Sequence, residues 1–269
     1  MHKYLVFTDL DGTFLNHEDY DYTVALPAVA AVQQRDSPIV FASCKTQGDV
    51  LELSDALGFA YPMIYETGCG VCWPGGYFSH LENEHHGFCA NYDRVIDILN
   101  QLRRQHGFQF NGFHDMSAQQ VAQATGLSES DAENARLRQF GEPLQWQGSD
   151  EQLEQFHAEL QAVDLHLVSG GRFMHVMSPV DKSHAIQWLT RQYRIMQPDV
   201  EWITIGLGDS PNDAQLLASV DQPYLVRNLH LHTEQHELLK IDGILPTKES
   251  GAAGWNEAIM GFLSNHHGA

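Results

Sequence analysis

Asp9 and Asp11 stand one residue apart where the apolar run Tyr4-Leu5-Val6-Phe7 ends, and Gly12-Thr13 follow them. The run is short, β-prone and stopped by a turn signal, which predicts a buried strand. On an extended chain residues i and i+2 point the same way, so the two carboxylates share a face and Leu10 opposes them. Like charges that close repel unless a cation or a proton sits between them. Asp209 and Asp213 form a second acidic pair far downstream. The apolar run Trp202 to Leu207 leads into Gly208-Asp209-Ser210-Pro211-Asn212-Asp213. Ser210 suits an N-cap and Pro211 a first helical position, so a helix is expected to start here, with Asp209 at the strand tip and Asp213 in the first turn. Four acids at two strand tips make a hard-oxygen site suited to magnesium.

Two cations and a hydroxyl complete the set. Ser43 and Lys45 follow the short apolar strand Ile39-Val40-Phe41-Ala42, at its carboxyl end. Alone they also fit a Ser-capped helix start with an exposed lysine. Lys182 opens the helix that runs to Tyr193. A cation at a helix N-terminus is disfavoured by the dipole, by about 0.3–1 kcal/mol on a surface. Asp181 can offset that cost, but the position still asks for a reason.

The D-x-D-G-T motif at a first strand, paired with a late G-D-x-x-N-D, resembles the haloacid dehalogenase superfamily of phosphatases. The resemblance implies an aspartyl-phosphate mechanism. Asp9 is then the nucleophile and Asp11 the general acid and base, with Ser43 and Lys182 on the transferred phosphoryl group. It implies Mg2+ held by Asp9, Asp209 and the Asp11 backbone carbonyl, with Asp213 orienting Lys182 or a metal-bound water. Relatives that pump ions carry Thr in place of the second Asp, and dehalogenases lack that acid too. Asp11 therefore favours a hydrolase or a mutase.

A narrower resemblance runs through the middle of the chain. Met116 to Pro143 carries M-S-x-x-x-V-A-x-x-T-G-L, then R-x-F-G-E-P from Arg138. Gly170-Gly171-Arg172-Phe173, His175 and Gly254-Trp255-Asn256 follow. These, with the S-C-K-T at Ser43, are similar to the mannosyl-3-phosphoglycerate phosphatases of that superfamily. Two departures stand out: Thr67-Gly68 where relatives often have Asn-Gly, and Gly141-Glu142-Pro143 where they often read S-E-P. The resemblance implies that Lys45, Thr67, Gly68, Arg138, Glu142, Arg172, His175, Ser210 and Asn212 contact substrate. An arginine fork suits a carboxylate or a phosphate, and phosphoglycerate carries both. A different sugar phosphate (glucosyl-3-phosphoglycerate or a hexose phosphate) stays open as substrate, and so does a non-catalytic sugar-phosphate binder.

Elements must hold these residues in place. Strand and helix signals alternate over the first eighty residues, which implies a parallel sheet covered by helices. From about Tyr92 the pattern turns to helices with short strands, among them Leu165 to Val168 and Phe173 to Val176 joined at Gly170-Gly171. Alternation resumes at Pro179. The expected fold class is α/β, a Rossmann-like parallel-sheet core (1–84 and 178–269) interrupted by an inserted α+β cap domain (85–177). Gly75-Gly76 suggests a hairpin inside the core.

Composition narrows the partners. The 269 residues carry 15 Lys and Arg against 35 Asp and Glu, a formal charge of −20. Nucleic acid and anionic membrane partners need basic surface, so neither is expected. The expected partner is a phosphorylated sugar or glycerate, bound by a monomer or homodimer. No apolar stretch approaches a membrane span and no signal-peptide pattern opens the chain, so a cytoplasmic protein is expected. Cys69-x-x-Cys72 has no second pair or His cluster at zinc spacing, so it predicts no zinc site.

Overall fold

The computed structural model describes residues 2–170, 173–231 and 235–266. In chain order the elements are β1 (His2–Thr8), α1 (Leu26–Gln33), β2 (Ile39–Phe41), α2 (Gln47–Ala56), β3 (Met63–Tyr65), β4 (Gly70–Cys72) and β5 (His85–Gly87). There follow α3 (Tyr92–His106), β6 (Phe110–Gly112), α4 (Ala118–Thr125), α5 (Glu129–Arg136), β7 (Glu142–Trp146), α6 (Asp150–Gln161), β8 (His166–Gly170) and β9 (Phe173–Met177). The chain then returns through α7 (Lys182–Met196), β10 (Glu201–Gly208), α8 (Ala214–Ala218), β11 (Gln222–Arg227), α9 (Gln235–Leu238), β12 (Leu245–Ser250) and α10 (Gly251–Asn265).

The chain forms two compact units. One comprises residues 1–43, 59–86 and 181–269, the other 44–58 and 87–180. The expected insert ran from 85 to 177; the second unit starts two residues later, ends at 180 and also takes in the α2 segment.

In the first unit five strands form a parallel sheet in the order β12-β11-β10-β1-β2. Leu5, Val6 and Phe7 are fully buried, as are Val40 and Leu207. Strands covered on both faces read as continuous apolar runs rather than alternating ones, which is why the runs at 4–7 and 202–207 were legible. Thr8 lies opposite Leu207 on β10 and Phe41 on β2, so three strands end at one level. β3 joins through the Ala42–Ile64 bridge. Gly75-Gly76 lies in the longer connection from β4 to β5, its neighbour in a three-stranded sheet, and the tight hairpin is at β3–β4, closed by Glu66-Thr67-Gly68 with all three residues at positive φ. No Asn-Gly or Asp-Gly pair marks this turn, so the usual hairpin signal was absent.

The second unit holds an antiparallel sheet, β6-β7-β9-β8. Its core joins Val95, Leu99 and Leu102 of α3 with Phe156 and Leu160 of α6 and Phe110, Leu144 and Val176 of the strands. α3 starts at Asn91, whose side chain accepts the Arg94 N–H at 3.0 Å, and ends at Gly107 in the left-handed region. No described helix is long and apolar enough to cross a membrane.

Candidate active site

Parallel pairing of β1 with β10 brings the two acidic motifs together. The Asp9 N–H donates to the Leu207 carbonyl at 2.9 Å, one step past the last paired residues. Asp9, Asp209 and Asp213 are buried, and one carboxylate oxygen from each lies within 4.8 Å of the others. Lys182, with no exposed surface, reaches into this cluster from the first turn of α7. Its Nζ donates to Asp9 Oδ1 at 2.6 Å and to Asp213 Oδ1 at 2.7 Å. The unfavourable place of a cation at a helix N-terminus is thereby explained, since two carboxylates outweigh the dipole.

The electrostatics are those of an excess of negative charge in a dry place. Burial and the Asp213 charge push Asp9 well above the usual carboxylate range, against the pull of Lys182. Burial and Asp213 likewise raise Asp209 to about 7. Burial alone would loosen the Lys182 proton, but Asp213 and Asp9 hold it more firmly than on an ordinary lysine. Three carboxylates against one ammonium leave charge uncompensated, and buried charge is stable only when paired or bound to a metal. The donors are all carboxylate oxygens, which fit a hard divalent cation.

The carboxylates are held differently. Asp209 Oδ1 accepts from Thr13 Oγ1 at 2.9 Å and Oδ2 from Asn228 Nδ2 at 2.5 Å. Asp213 Oδ2 takes the Asp209 N–H at 3.1 Å and the Ser210 N–H at 3.2 Å, while Oδ1 takes Lys182. Asp213 therefore closes the loop between β10 and α8 and orients Lys182. The expected helix start at Pro211 is a short 3₁₀ turn, Pro211–Asp213, with α8 after it. Ser210 Oγ contacts Asn212 Oδ1, and Asn212 is exposed.

Asp11 departs from the reasoning that selected it. β1 ends at Thr8, so alternation along a strand does not carry to Asp11. A tight loop sets its position instead: the Thr13 and Leu15 N–H groups both donate to the Leu10 carbonyl, and the Gly12 N–H to that of Leu15. Gly12 has φ +83°, and a Cβ there would stand 2.7 Å from Asp209 Oδ2, so no other residue fits.

Ser43 is buried beyond the end of β2, and its N–H donates to the Ile64 carbonyl. α2 is capped by Thr46 in a reciprocal pair with Asp49, so Ser43 has no capping role. The Thr67 N–H donates to the Ser43 carbonyl at 2.9 Å, which ties the β3–β4 turn to this strand tip. Gly68, at φ +95°, abuts the Asp181 backbone, with a notional Cβ 2.8 Å from Lys182 Cα. Its role is to let that turn approach the start of α7. Lys45 belongs to the second unit.

Within the second unit Arg138, Glu142 and His175 form one cluster. Glu142 is buried; Tyr92 Oη donates to one of its oxygens at 2.7 Å and the His114 N–H to the other at 2.8 Å. Burial raises its pKa in spite of those bonds. Arg138 Nε donates to the Gly141 carbonyl at 2.8 Å and Nη2 to that of Cys44 at 3.4 Å. Burial, and then the Arg138 charge, lower His175 to about 4, so its imidazole is neutral at pH 7. Arg172 lies outside the described residues.

Two groups escaped the reading of the sequence. Asn228, after β11, was one; only its position past a third strand end could have signalled it. The other is a buried line behind Asp9: Trp255 Nε1 donates to Thr8 Oγ1 at 3.0 Å, and Thr8 Oγ1 to the Asp9 carbonyl at 2.7 Å. Trp255 stood in a quoted motif but carried no stated role.

Comparison with known proteins agrees with this geometry. A family model described as haloacid dehalogenase-like hydrolase matches residues 6–236. A glucosyl-3-phosphoglycerate/mannosyl-3-phosphoglycerate phosphatase of Methanococcoides burtonii is 32% identical, covering 98% of this chain and 99% of its own. A protein of the same name from Persephonella marina is 30% identical over 97% of each chain. Among solved structures, a haloacid dehalogenase-like hydrolase from Bacteroides thetaiotaomicron superposes with TM-score 0.69 at 15% identity, covering 97% of this chain and 100% of that one. The sucrose-phosphatase of Synechocystis, in complex with sucrose and phosphate, gives 0.62 at 17%, covering 97% and 98%. At these identities the structures speak to fold, whereas the family match and the two full-length relatives place the chain itself: it belongs to the haloacid dehalogenase-like hydrolases.

Proposed function

We propose that the protein is a magnesium-dependent phosphatase that hydrolyses mannosyl-3-phosphoglycerate to mannosylglycerate and phosphate. The observation that carries the reading is the buried cluster of Asp9, Asp209 and Asp213, two of them paired with Lys182, at the ends of parallel strands where open α/β sheets bind ligands. Asp9 and Asp209, with the Asp11 backbone carbonyl, would hold Mg2+, which would supply the positive charge that draws a phosphate against carboxylates.

The chain's own groups then account for the chemistry. An Asp9 oxygen attacks phosphorus in line; the new O–P bond forms as the bond to the leaving glycerate oxygen breaks, giving an aspartyl-phosphate. Asp11 gives its proton to that leaving oxygen, then takes one from the water that cleaves the acyl phosphate. Lys182 balances charge on Asp9 and the phosphoryl oxygens, and Asp213 keeps it aimed. Ser43 donates to an equatorial oxygen, and Thr67 and Gly68 shape the neighbouring turn. Lys45, Ser210 and Asn212 are assigned to substrate on resemblance. In the second unit Arg138, Glu142 and His175 are assigned to the organic part of the substrate, with Tyr92 and the His114 N–H orienting Glu142.

The relatives' names support a second substrate, glucosyl-3-phosphoglycerate. The test is phosphate release with Mg2+ from both esters, beside 3-phosphoglycerate and mannose 6-phosphate. A tenfold preference for the mannosyl ester, about 1.4 kcal/mol of transition-state discrimination, is the expected result. Equal rates on both esters would make the protein a dual phosphatase, and a better rate on a hexose phosphate would remove the glycerate reading.

A further inference from the structure

Asp209 differs from the other acids of the cluster in that neither of its oxygens faces Lys182 at bonding distance; both are held by neutral donors. Thr13 Oγ1 takes Oδ1 and Asn228 Nδ2 takes Oδ2. Asn228 is itself buried and cannot turn over, because its Oδ1 already accepts the His230 N–H at 2.8 Å. That bond fixes which end of the amide faces Asp209. The Gly12 backbone closes the remaining side, leaving no room for even a methyl group beside Oδ2.

We propose that Asn228 is a positioning residue: its amide fixes the rotamer of Asp209 and thereby sets the affinity of the site for a divalent cation. The proposal rests on the magnesium reading above. Partners that orient a metal-binding carboxylate from behind are worth about 10–100-fold in metal affinity. Thr13 arrives in the same loop as Asp11, whereas Asn228 comes from the next strand of the sheet. The cation site thus draws on β1, β10 and the end of β11.

Mg2+ calorimetry on metal-free wild type and Asn228→Ala tests this, with circular dichroism to establish folding. The expected result is a Kd for Mg2+ about 10–100-fold weaker in the variant. The Mg2+ concentration that gives half-maximal turnover should rise by a similar factor. Should Asn228→Ala fail to fold, Asn228→Ser takes its place; its hydroxyl refills part of the space but is too short to make the amide's bond. Mg2+ affinity within about threefold of wild type in a folded variant overturns the proposal and leaves the phosphatase reading intact. A wild-type protein that binds no Mg2+ overturns the magnesium reading and the proposal with it.

Discussion

In the proposed mechanism Asp11 is the acid and base that carries the reaction past the phosphorylated aspartate. Asp11→Asn keeps shape and backbone carbonyl but loses the proton, so turnover should fall about 10²–10⁴-fold, the usual worth of general acid–base catalysis. Mg2+ affinity should change little; unchanged turnover would sink the assignment. Behind Asp9, the Trp255–Thr8 line predicts a subtler effect. Thr8→Val removes the hydroxyl that donates to the Asp9 carbonyl and leaves the Trp255 N–H buried without its acceptor. Stability should drop by about 1–3 kcal/mol, with Thr8→Ser recovering most of it in urea unfolding. An equal loss in both variants would point to packing rather than to the hydrogen bonds.

At the scale of elements, each candidate side chain sits at an end: Asp9 after β1, Ser43 after β2, Asp209 after β10, Asn228 after β11 and Lys182 at the start of α7. The register Thr8–Leu207 and Thr8–Phe41 aligns those ends, so the site depends on strand length as much as on the residues themselves. The β3–β4 turn is the element most exposed to error. Gly68 combines a positive φ with a backbone neighbour that cannot yield. Gly68→Ala should therefore displace the start of α7, lowering activity and stability together, by more than the about 1 kcal/mol that conformational preference alone would cost. Thermal unfolding and phosphate release on one preparation check it; a variant that keeps full activity would show that Lys182 does not depend on this turn.

For the whole molecule, the half-buried His175 and the buried acidic cluster couple stability to solution conditions. His175 is held neutral, with its pKa lowered to about 4 against an ordinary value near 6.5. Stability from this group is complete above about pH 6.5 and is lost as pH falls through about 4, because the unfolded chain binds the proton first. The loss should be on the order of 1–3 kcal/mol, and His175→Asn should flatten that part of the unfolding curve. The acidic cluster predicts the opposite of the usual mutational cost. In metal-free protein, Asp9→Asn removes one of three clustered carboxylates that stand beside a single ammonium, so its melting temperature should rise while activity vanishes. A lower melting temperature in that variant would mean that the Lys182 pair outweighs the repulsion.

How much of this was legible in the chain follows from the range of each interaction. The runs 4–7 and 202–207 announced themselves because strands covered on both faces must be apolar throughout, and the acids after them stood out as polar interruptions. Composition, the four aspartates and Lys182 were therefore readable residue by residue. The β3–β4 hairpin was not, since its turn relies on positive φ at Glu66 and Thr67, side chains that seldom adopt it. Glu142 read as a substrate contact from its motif, but nothing local announced that it is buried with one oxygen on Tyr92 Oη and the other on the His114 N–H. Asn228 carried no local signal at all, being one amide beyond one more strand. Local pattern fixes which segments become strands and helices, because propensity and periodicity act between near neighbours. Which side chain meets Asp209, 19 residues from Asn228 and 196 from Thr13, follows only from strand order and register, which bring distant ends to a common level.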